Sequence, residues 1–244
     1  MNRWNIILLI LMGLTAPAMA NPVTVDAVVS PGANGGYTLS WYFEFPDDWH
    51  LYGPFQNDSG FPPRITMDLA DGWERGPIQW PVPSRHVSPG DLLDHVYPDD
   101  LILTQSLTGP LDAVLPDLTA RLQWLVCREM CVAGDSTLTV RLADPPEAWT
   151  SSMEDQLSAF PAEKVTVEQN GSLITITVPR ASLLRFAPFE GGPRFQDLLS
   201  TSQAEGNILR LELSTKRTPG EPLSGVLSAN YNKQNEIIGL IVIE

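Results

Sequence analysis

The only two cysteines of the chain, Cys127 and Cys131, lie in the stretch WLVCREMC. Three residues separate them, whereas redox-active helices commonly use a two-residue spacing. A pair of thiols at this spacing has three candidate roles: a structural disulfide, two ligands of a soft metal, or a dithiol that exchanges electrons with other proteins.

A bond between the two cysteines requires the chain to turn. On one straight strand, Cα atoms four positions apart lie about 13 Å from each other, but a disulfide needs roughly 4.4–6.8 Å. The chain must therefore form either a helical turn or a hairpin with Arg128, Glu129 and Met130 as its loop. The strand-like sequences LQWLVC before and TLTVRL after the pair favour a hairpin or an irregular turn.

Such a bond would stabilise the fold only slightly. Closing a loop of this size restrains the unfolded chain by about 2 kcal/mol, against about 4.7 kcal/mol for a loop of about 100 residues. The short spacing thus favours a redox-active pair over a structural staple. It leaves the structural and metal roles open.

A copper site is the alternative that the other soft ligands allow. Met130, His50, His86 and His95 could supply a Cu(I) site together with a thiolate. No two of these histidines stand at ligand spacing in the sequence. We therefore predict no bound metal and no cofactor.

The first 20 residues have the pattern of a secretory signal peptide. One positive charge precedes an apolar run, and an Ala-Met-Ala site ends the segment. We expect a mature protein that begins at Asn21, does not span a membrane, and resides in an oxidising compartment where disulfides persist. The net charge of −14 argues against nucleic acid and anionic membrane surfaces as partners.

Short strand-like runs between turns predict an all-β fold that begins with a β-sandwich. We expect this first domain to cover residues 21–145. A linker over 146–162, with a short helix at Ser152–Phe160, should connect it to a smaller β-rich domain over 163–244. Within the second domain, Asn170-Gly171 stands between two alternating runs and predicts a hairpin.

Trp124 precedes Cys127 by three residues in one predicted strand. Side chains alternate between the two faces of a strand. Trp124 should therefore pack in the core, and Cys127 should face away from it.

Three segments of the chain resemble one known family. They are DDWHLYGPFQNDSGFPPRITMDLADGWERGPIQWPVPSR at 47–85, LQWLVCREMCVAGDSTLTVRL at 122–142 and, less closely, FAPFEGG at 186–192. Together they resemble the periplasmic amino-terminal region of DsbD-type transmembrane thiol–disulfide reductases, in particular the ScsB-like branch. The resemblance covers most of residues 40–142.

The resemblance implies a fold and a function. It implies an immunoglobulin-like sandwich whose cysteine pair receives electrons from a membrane-embedded thiol reductase and passes them to thioredoxin-like and other periplasmic disulfide proteins. Carried over to this chain, Cys131 is the exchanging thiol and Cys127 the resolving thiol. The chain would then be one component of a protein-disulfide reductase system.

The chain also departs from that family's pattern. Family members continue into a membrane domain and a thioredoxin-like domain, whereas this sequence ends at Glu244. We expect either that a separate membrane protein supplies electrons or that the chain has lost the relay and acts as a chaperone-like or metal-handling module. In the family, a loop with an aromatic cap shields the disulfide. The counterpart here, Val87–Tyr97, does not match that loop residue by residue, so the cap residues stay unassigned, with Tyr97 and Leu92 as candidates.

The sequence thus predicts a periplasmic thiol–disulfide exchange module. The alternatives are a periplasmic copper-handling protein and a non-enzymatic binding module with a structural disulfide.

Overall fold

The computed structural model describes residues 21–32, 35–111, 113–149, 165–214, 223–231 and 235–243. The predicted signal peptide and the predicted helix at Ser152–Phe160 lie outside these residues. The linker prediction over 146–162 falls mostly outside them too, so the domain boundary stays a prediction. No helix within the described ranges has the length and apolar character needed to cross a membrane.

Ten strands between Thr24 and Leu142 form one curled sheet. In chain order they are β1 Thr24–Pro31, β2 Tyr37–Glu44, β3 His50–Tyr52, β4 Arg64–Met67, β5 Glu74–Gln79, β6 Ser84–Ser88, β7 Leu92–Tyr97, β8 Leu101–Thr108, β9 Leu118–Cys127 and β10 Cys131–Leu142. Their order across the sheet is β5-β8-β2-β1-β10-β9-β3-β7-β6, and β4 also pairs with β9.

Strand β10 joins the two halves of this sheet. Most of its length pairs with β9, while Arg141 and Leu142 pair in parallel with β1. The two halves bury their apolar faces against each other, and the rings of Phe43 and Trp124 meet edge to face with centroids 6.1 Å apart. This arrangement confirms the predicted sandwich.

Strand β9 shows why these residues form a half-buried strand. Leu118, Ala120, Leu122, Trp124 and Val126 alternate along it, and all five are buried in the main core. Alternation with a period of two places all of them on one face. The alternate positions, from Thr119 onward, point to the other face.

The second half of the chain has smaller sheets and a core of its own. Its elements are β11 Thr166–Asn170, β12 Leu173–Thr177, β13 Leu183–Pro188, α1 Leu198–Thr201, β14 Gln203–Glu205, β15 Ile208–Glu212, β16 Leu223–Tyr231 and β17 Asn235–Ile243. They form the sheets β11-β12-β15 and β14-β13-β16-β17. Asn170 pairs with Leu173 across a turn in which Gly171 has φ 64°, so the predicted hairpin is confirmed.

The FAPFEGG segment of the second half packs against the segment GPFQ at 53–56. The rings of Phe55 and Phe189 stack at 5.3 Å. The backbone N–H of Gln56 donates to the carbonyl of Pro188 at 2.9 Å. The buried Gln56 side chain also donates to the carbonyls of Phe189 at 3.3 Å and Pro193 at 2.8 Å. Parts of two of the three family-like segments, 47–85 and 186–192, are therefore the two sides of one interface.

Replacing Gln56 with alanine should lower the free energy of unfolding by about 1–3 kcal/mol, because a buried carbonyl loses its donor. Chemical denaturation of the full chain measures this. Gln79→Ala is the matched control, since that side chain makes only an exposed local bond and should change stability by less than about 0.5 kcal/mol. Equal effects of the two changes would contradict the interface role of Gln56.

His95, on β7, is buried beside this interface. Its ring contacts Phe55 at 5.5 Å, and Nδ1 lies 3.2 Å from Oδ1 of Asn57. Burial, and then the positive charge of Arg85, lower the pKa of His95 from 6.5 to about 4. The native state therefore holds this imidazole neutral.

This pKa predicts an acid-sensitive step in stability. The free energy of unfolding should fall by about 3 kcal/mol as the pH falls from about 6.5, the pKa of histidine in the unfolded chain, towards about 4. The reason is that the unfolded chain binds the proton more readily than the folded protein. Unfolding free energies of the wild type and His95→Gln, measured across this range, should converge at low pH. Parallel curves would show that His95 does not titrate in this way.

Candidate redox-active site

The cysteine pair closes the hairpin between β9 and β10. Cys127 and Cys131 stand directly opposite each other as the first pair of the ladder. They form a disulfide with an S–S distance of 2.02 Å and a Cα–Cα distance of 4.0 Å. Within the loop, the backbone N–H of Arg128 donates to the carbonyl of Met130 at 3.1 Å. Of the two geometries that the spacing allowed, the hairpin is correct and the helical turn is wrong.

The two sulfur-bearing residues have different exposure. Cys127 is 2% exposed and packs with Tyr52, Val96 and Leu125. Cys131 is exposed at the start of β10. An incoming molecule can therefore reach Cys131, while the protein covers Cys127.

Trp124 and Cys127 lie on opposite faces of β9, as predicted. Trp124 belongs to the main core, where its indole N–H donates to Oδ1 of Asn21 at 3.2 Å. Cys127 belongs to a separate small cluster on the other face. The cysteine faces away from the core but is covered by neighbouring side chains.

The loop of the β9–β10 hairpin packs against Trp49, the residue just before β3. The guanidinium of Arg128 lies 5.2 Å from the ring centre of Trp49, a cation–π distance. Met130 is 59% exposed, so it is not a core side chain. The contact of Arg128 orients one side of the loop, and the Met130 side faces solvent.

His50 is the other direct neighbour of Cys127. Strand β3 lies on the side of β9 away from β10, and His50 pairs with Cys127 there. The His50 ring contacts Tyr52 at 5.3 Å and His86 at 5.1 Å. Burial, and then the neighbouring His86, lower the pKa of His50, whereas Asp94 acts in the opposite direction. The sequence suggested His50 only as a copper ligand, because nothing in its local pattern shows that it pairs with Cys127.

A short loop holds Tyr52 over the cysteine cluster. Oδ1 and Oδ2 of the buried Asp94 accept hydrogen bonds from the backbone N–H and the hydroxyl of Ser59 at 2.8 and 2.7 Å. Gly60, with φ 67°, lies so close to the Tyr52 ring that a Cβ there would be 2.4 Å from ring atoms. Glycine is therefore required for this loop to close on the tyrosine.

The predicted cap does not have the expected form. Val87–Tyr97 is not a loop but most of the β6–β7 hairpin. Tyr97 lies in the main core, where its hydroxyl donates to the carbonyl of Pro81 at 2.8 Å, so the prediction of Tyr97 as a cap is wrong. Leu92 is 41% exposed at the turn end of that hairpin. Tyr52, which the sequence did not single out, is the aromatic residue packed on Cys127.

The three histidines considered as copper ligands do not lie together in the structure. His50 and His86 meet on the cysteine face, but His95 follows the buried Asp94 on β7 and therefore points to the opposite face. Over the described part of the chain, no group of three or more histidine, cysteine or acidic residues is placed to hold a metal ion.

Comparison with known proteins identifies the family of the chain. The model of the family described as thiol:disulfide interchange protein DsbD, N-terminal, matches residues 19–143. The chain belongs to this family. The match covers the ten-stranded sheet and ends just after β10, so it includes both cysteines and confirms the resemblance seen in the sequence.

One solved structure has the same fold. The N-terminal periplasmic domain of ScsB from Proteus mirabilis is 14% identical, with a TM-score of 0.59 over 94% of this chain and 96% of that chain. This similarity includes the second half and confirms the predicted fold class. The reduced DsbD N-terminal domain of Neisseria meningitidis is 14% identical over 48% of this chain and 83% of that chain, with a TM-score of 0.33. None of the curated proteins matches.

Reduction of the disulfide should lower the free energy of unfolding by only about 2 kcal/mol, because the closed loop is short. The reduced protein should keep its strand content. Denaturation with and without excess dithiol, followed by far-ultraviolet circular dichroism, measures this. A Cys127→Ala/Cys131→Ala variant should not respond to the dithiol. Global unfolding on reduction would instead identify a structural staple.

Proposed function

We propose that this protein is a periplasmic thiol–disulfide exchange module that passes electrons from a membrane thiol reductase to periplasmic disulfide proteins. The observation that carries the proposal is the asymmetric disulfide: Cys131 is exposed, and Cys127 is buried directly behind it. Membership of the DsbD N-terminal family supports the same chemistry.

The proposed reaction uses the two thiols in sequence. In the reduced protein, the thiolate of Cys131 attacks a disulfide of the partner, forms a mixed disulfide and releases one partner thiolate. The thiolate of Cys127 then attacks Sγ of Cys131 and releases the second partner thiolate. The partner gains two electrons, and the Cys127–Cys131 bond re-forms. A membrane thiol reductase would reduce this bond again.

The hairpin suits repeated opening and closing of the bond. Because the cysteines are direct cross-strand partners, the ladder itself holds them at bonding distance. The bond adds only about 2 kcal/mol, and the main core lies on the other face of β9. Oxidation and reduction can therefore alternate without refolding of the sheet.

The proposed partners are thioredoxin-like periplasmic proteins. The exposed side of the site includes Cys131 and the loop residues Glu129 and Met130, which leaves room for another protein to approach the sulfur. A DsbD N-terminal domain from Neisseria meningitidis has been solved in complex with a PilB N-terminal domain. Periplasmic location, export through a cleaved signal peptide, and a domain boundary at 146–162 belong to the same proposal.

Single cysteine variants test the assignment of the two thiols. Cys127→Ser should trap a stable mixed disulfide with oxidised glutathione, because the resolving thiol is absent. Cys131→Ser should trap little, because the remaining thiol is buried. Intact-protein mass spectrometry measures the trapped fraction. The reverse pattern, with more adduct on Cys131→Ser, would contradict the proposed roles.

A redox titration separates the proposal from the structural alternative. The disulfide of an exchange module needs a reduction potential at which cellular thiols can reduce it. A structural disulfide has a reduction potential below about −300 mV. Equilibration with glutathione and dithiothreitol buffers gives this value. A result in the structural range would favour a non-enzymatic binding module.

A further inference from the structure

Three side chains form a row across adjacent strands at the site. His50 on β3 pairs with Cys127 on β9, and Cys127 pairs with Cys131 on β10. Residues directly opposite each other in an antiparallel ladder point to the same face, with Cβ atoms about 4.5–5.5 Å apart. The side chains of His50 and Cys127 therefore leave the sheet on the same face, and His50 stands on the strand away from the exposed cysteine.

The resolving thiol needs a base. Cys127 is buried among Tyr52, Val96 and Leu125, and an apolar environment raises the pKa of a thiol. Only the thiolate attacks a disulfide. Without a proton acceptor, the buried thiol would rarely be in its reactive form.

The groups around His50 favour its neutral, proton-accepting form. Its ring is half-buried between Tyr52 on its own strand and His86 on β6. Asp94 on β7 is the nearby acidic group; its oxygens accept hydrogen bonds from Ser59, and its charge acts in the opposite direction on the pKa of His50, against the larger effect of burial. In the hairpin loop, Arg128 stacks on Trp49. Within the described residues, His50 is the histidine whose strand position pairs with Cys127.

We propose that His50 accepts the proton of Cys127 when the mixed disulfide is resolved. In this step the S–H bond of Cys127 breaks and its proton moves to the imidazole of His50. The thiolate then attacks Sγ of Cys131, an S–S bond forms within the protein, and the partner leaves as a thiolate. His50 afterwards loses its proton to solvent.

This inference rests on the proposed function, and one experiment separates the two. Reduced protein is mixed with 5,5′-dithiobis(2-nitrobenzoate), which releases one coloured thiolate when Cys131 attacks and a second when Cys127 resolves the adduct. Stopped-flow absorbance follows both phases between about pH 5 and pH 9, a range that includes the titration of histidine.

His50→Gln and His50→Phe should both slow the second phase at neutral pH by about 10-fold or more. The first phase should change by less than about 2-fold, because Cys131 acts there. The phenylalanine variant keeps the ring packing and so separates loss of the base from loss of shape. In His86→Gln, the second phase should persist with its pH midpoint moved upward, because His50 loses the neighbour that lowers its pKa.

His95→Gln is the matched control, since it is the same substitution at a β7 histidine whose side chain points away from the cysteine face, and it should leave both phases unchanged. A second phase in His50→Gln with the wild-type rate and pH profile would overturn the role of His50, as would equal slowing of both phases. Absence of the first phase in the wild type would overturn the proposed function itself.

Discussion

The pairing of β9 with its neighbours on both edges is the constraint on which the site depends. On one edge, β10 places Cys131 opposite Cys127. On the other edge, β3 places His50 opposite the same cysteine. A slip of one residue in either register would turn a side chain of the row to the opposite face. The alternating apolar residues of β9, from Leu118 to Val126, fix the register because they must stay in the core.

The same strand gives the two sulfur atoms different environments. Cys127 is the last residue of a strand with neighbours on both sides, and Tyr52 covers it. Cys131 is the first residue of β10, beyond a turn of three exposed residues, and is open to solvent. The Cys127–Cys131 bond therefore connects a protected sulfur to an accessible one. A relay that first captures and then releases a partner requires this difference.

The second half of the chain supports the site indirectly. Its segment FAPFEGG fixes the stretch GPFQ through the stacked rings of Phe55 and Phe189 and the hydrogen bonds of Gln56. That stretch connects β3, which carries His50, to the loop that holds Tyr52 in place. The packing between the two halves thus reaches the segment that directly follows the strand paired with Cys127.

Much of this protein follows from local sequence. The strand periodicity, the Asn170-Gly171 turn and the opposite faces of Trp124 and Cys127 follow from rules that involve near neighbours in the chain. The spacing of the cysteines required a turn, and the small loop implied a weak staple. These features need no knowledge of distant contacts. The resemblance to the DsbD family was also visible in contiguous motifs.

Only the tertiary structure decided what surrounds the disulfide. His50 lies 77 positions before Cys127 in the sequence, and sheet pairing alone makes them neighbours. Tyr97 looked like a cap but faces the core, because β7 is a paired strand and its side chains alternate. Tyr52 shares a buried cluster with Cys127, and a loop closed by Asp94 and Gly60 packs on its ring. Local sequence set the strands and the turn, whereas long-range strand pairing decided which residues stand next to the disulfide, because these residues come from strands far apart in the chain.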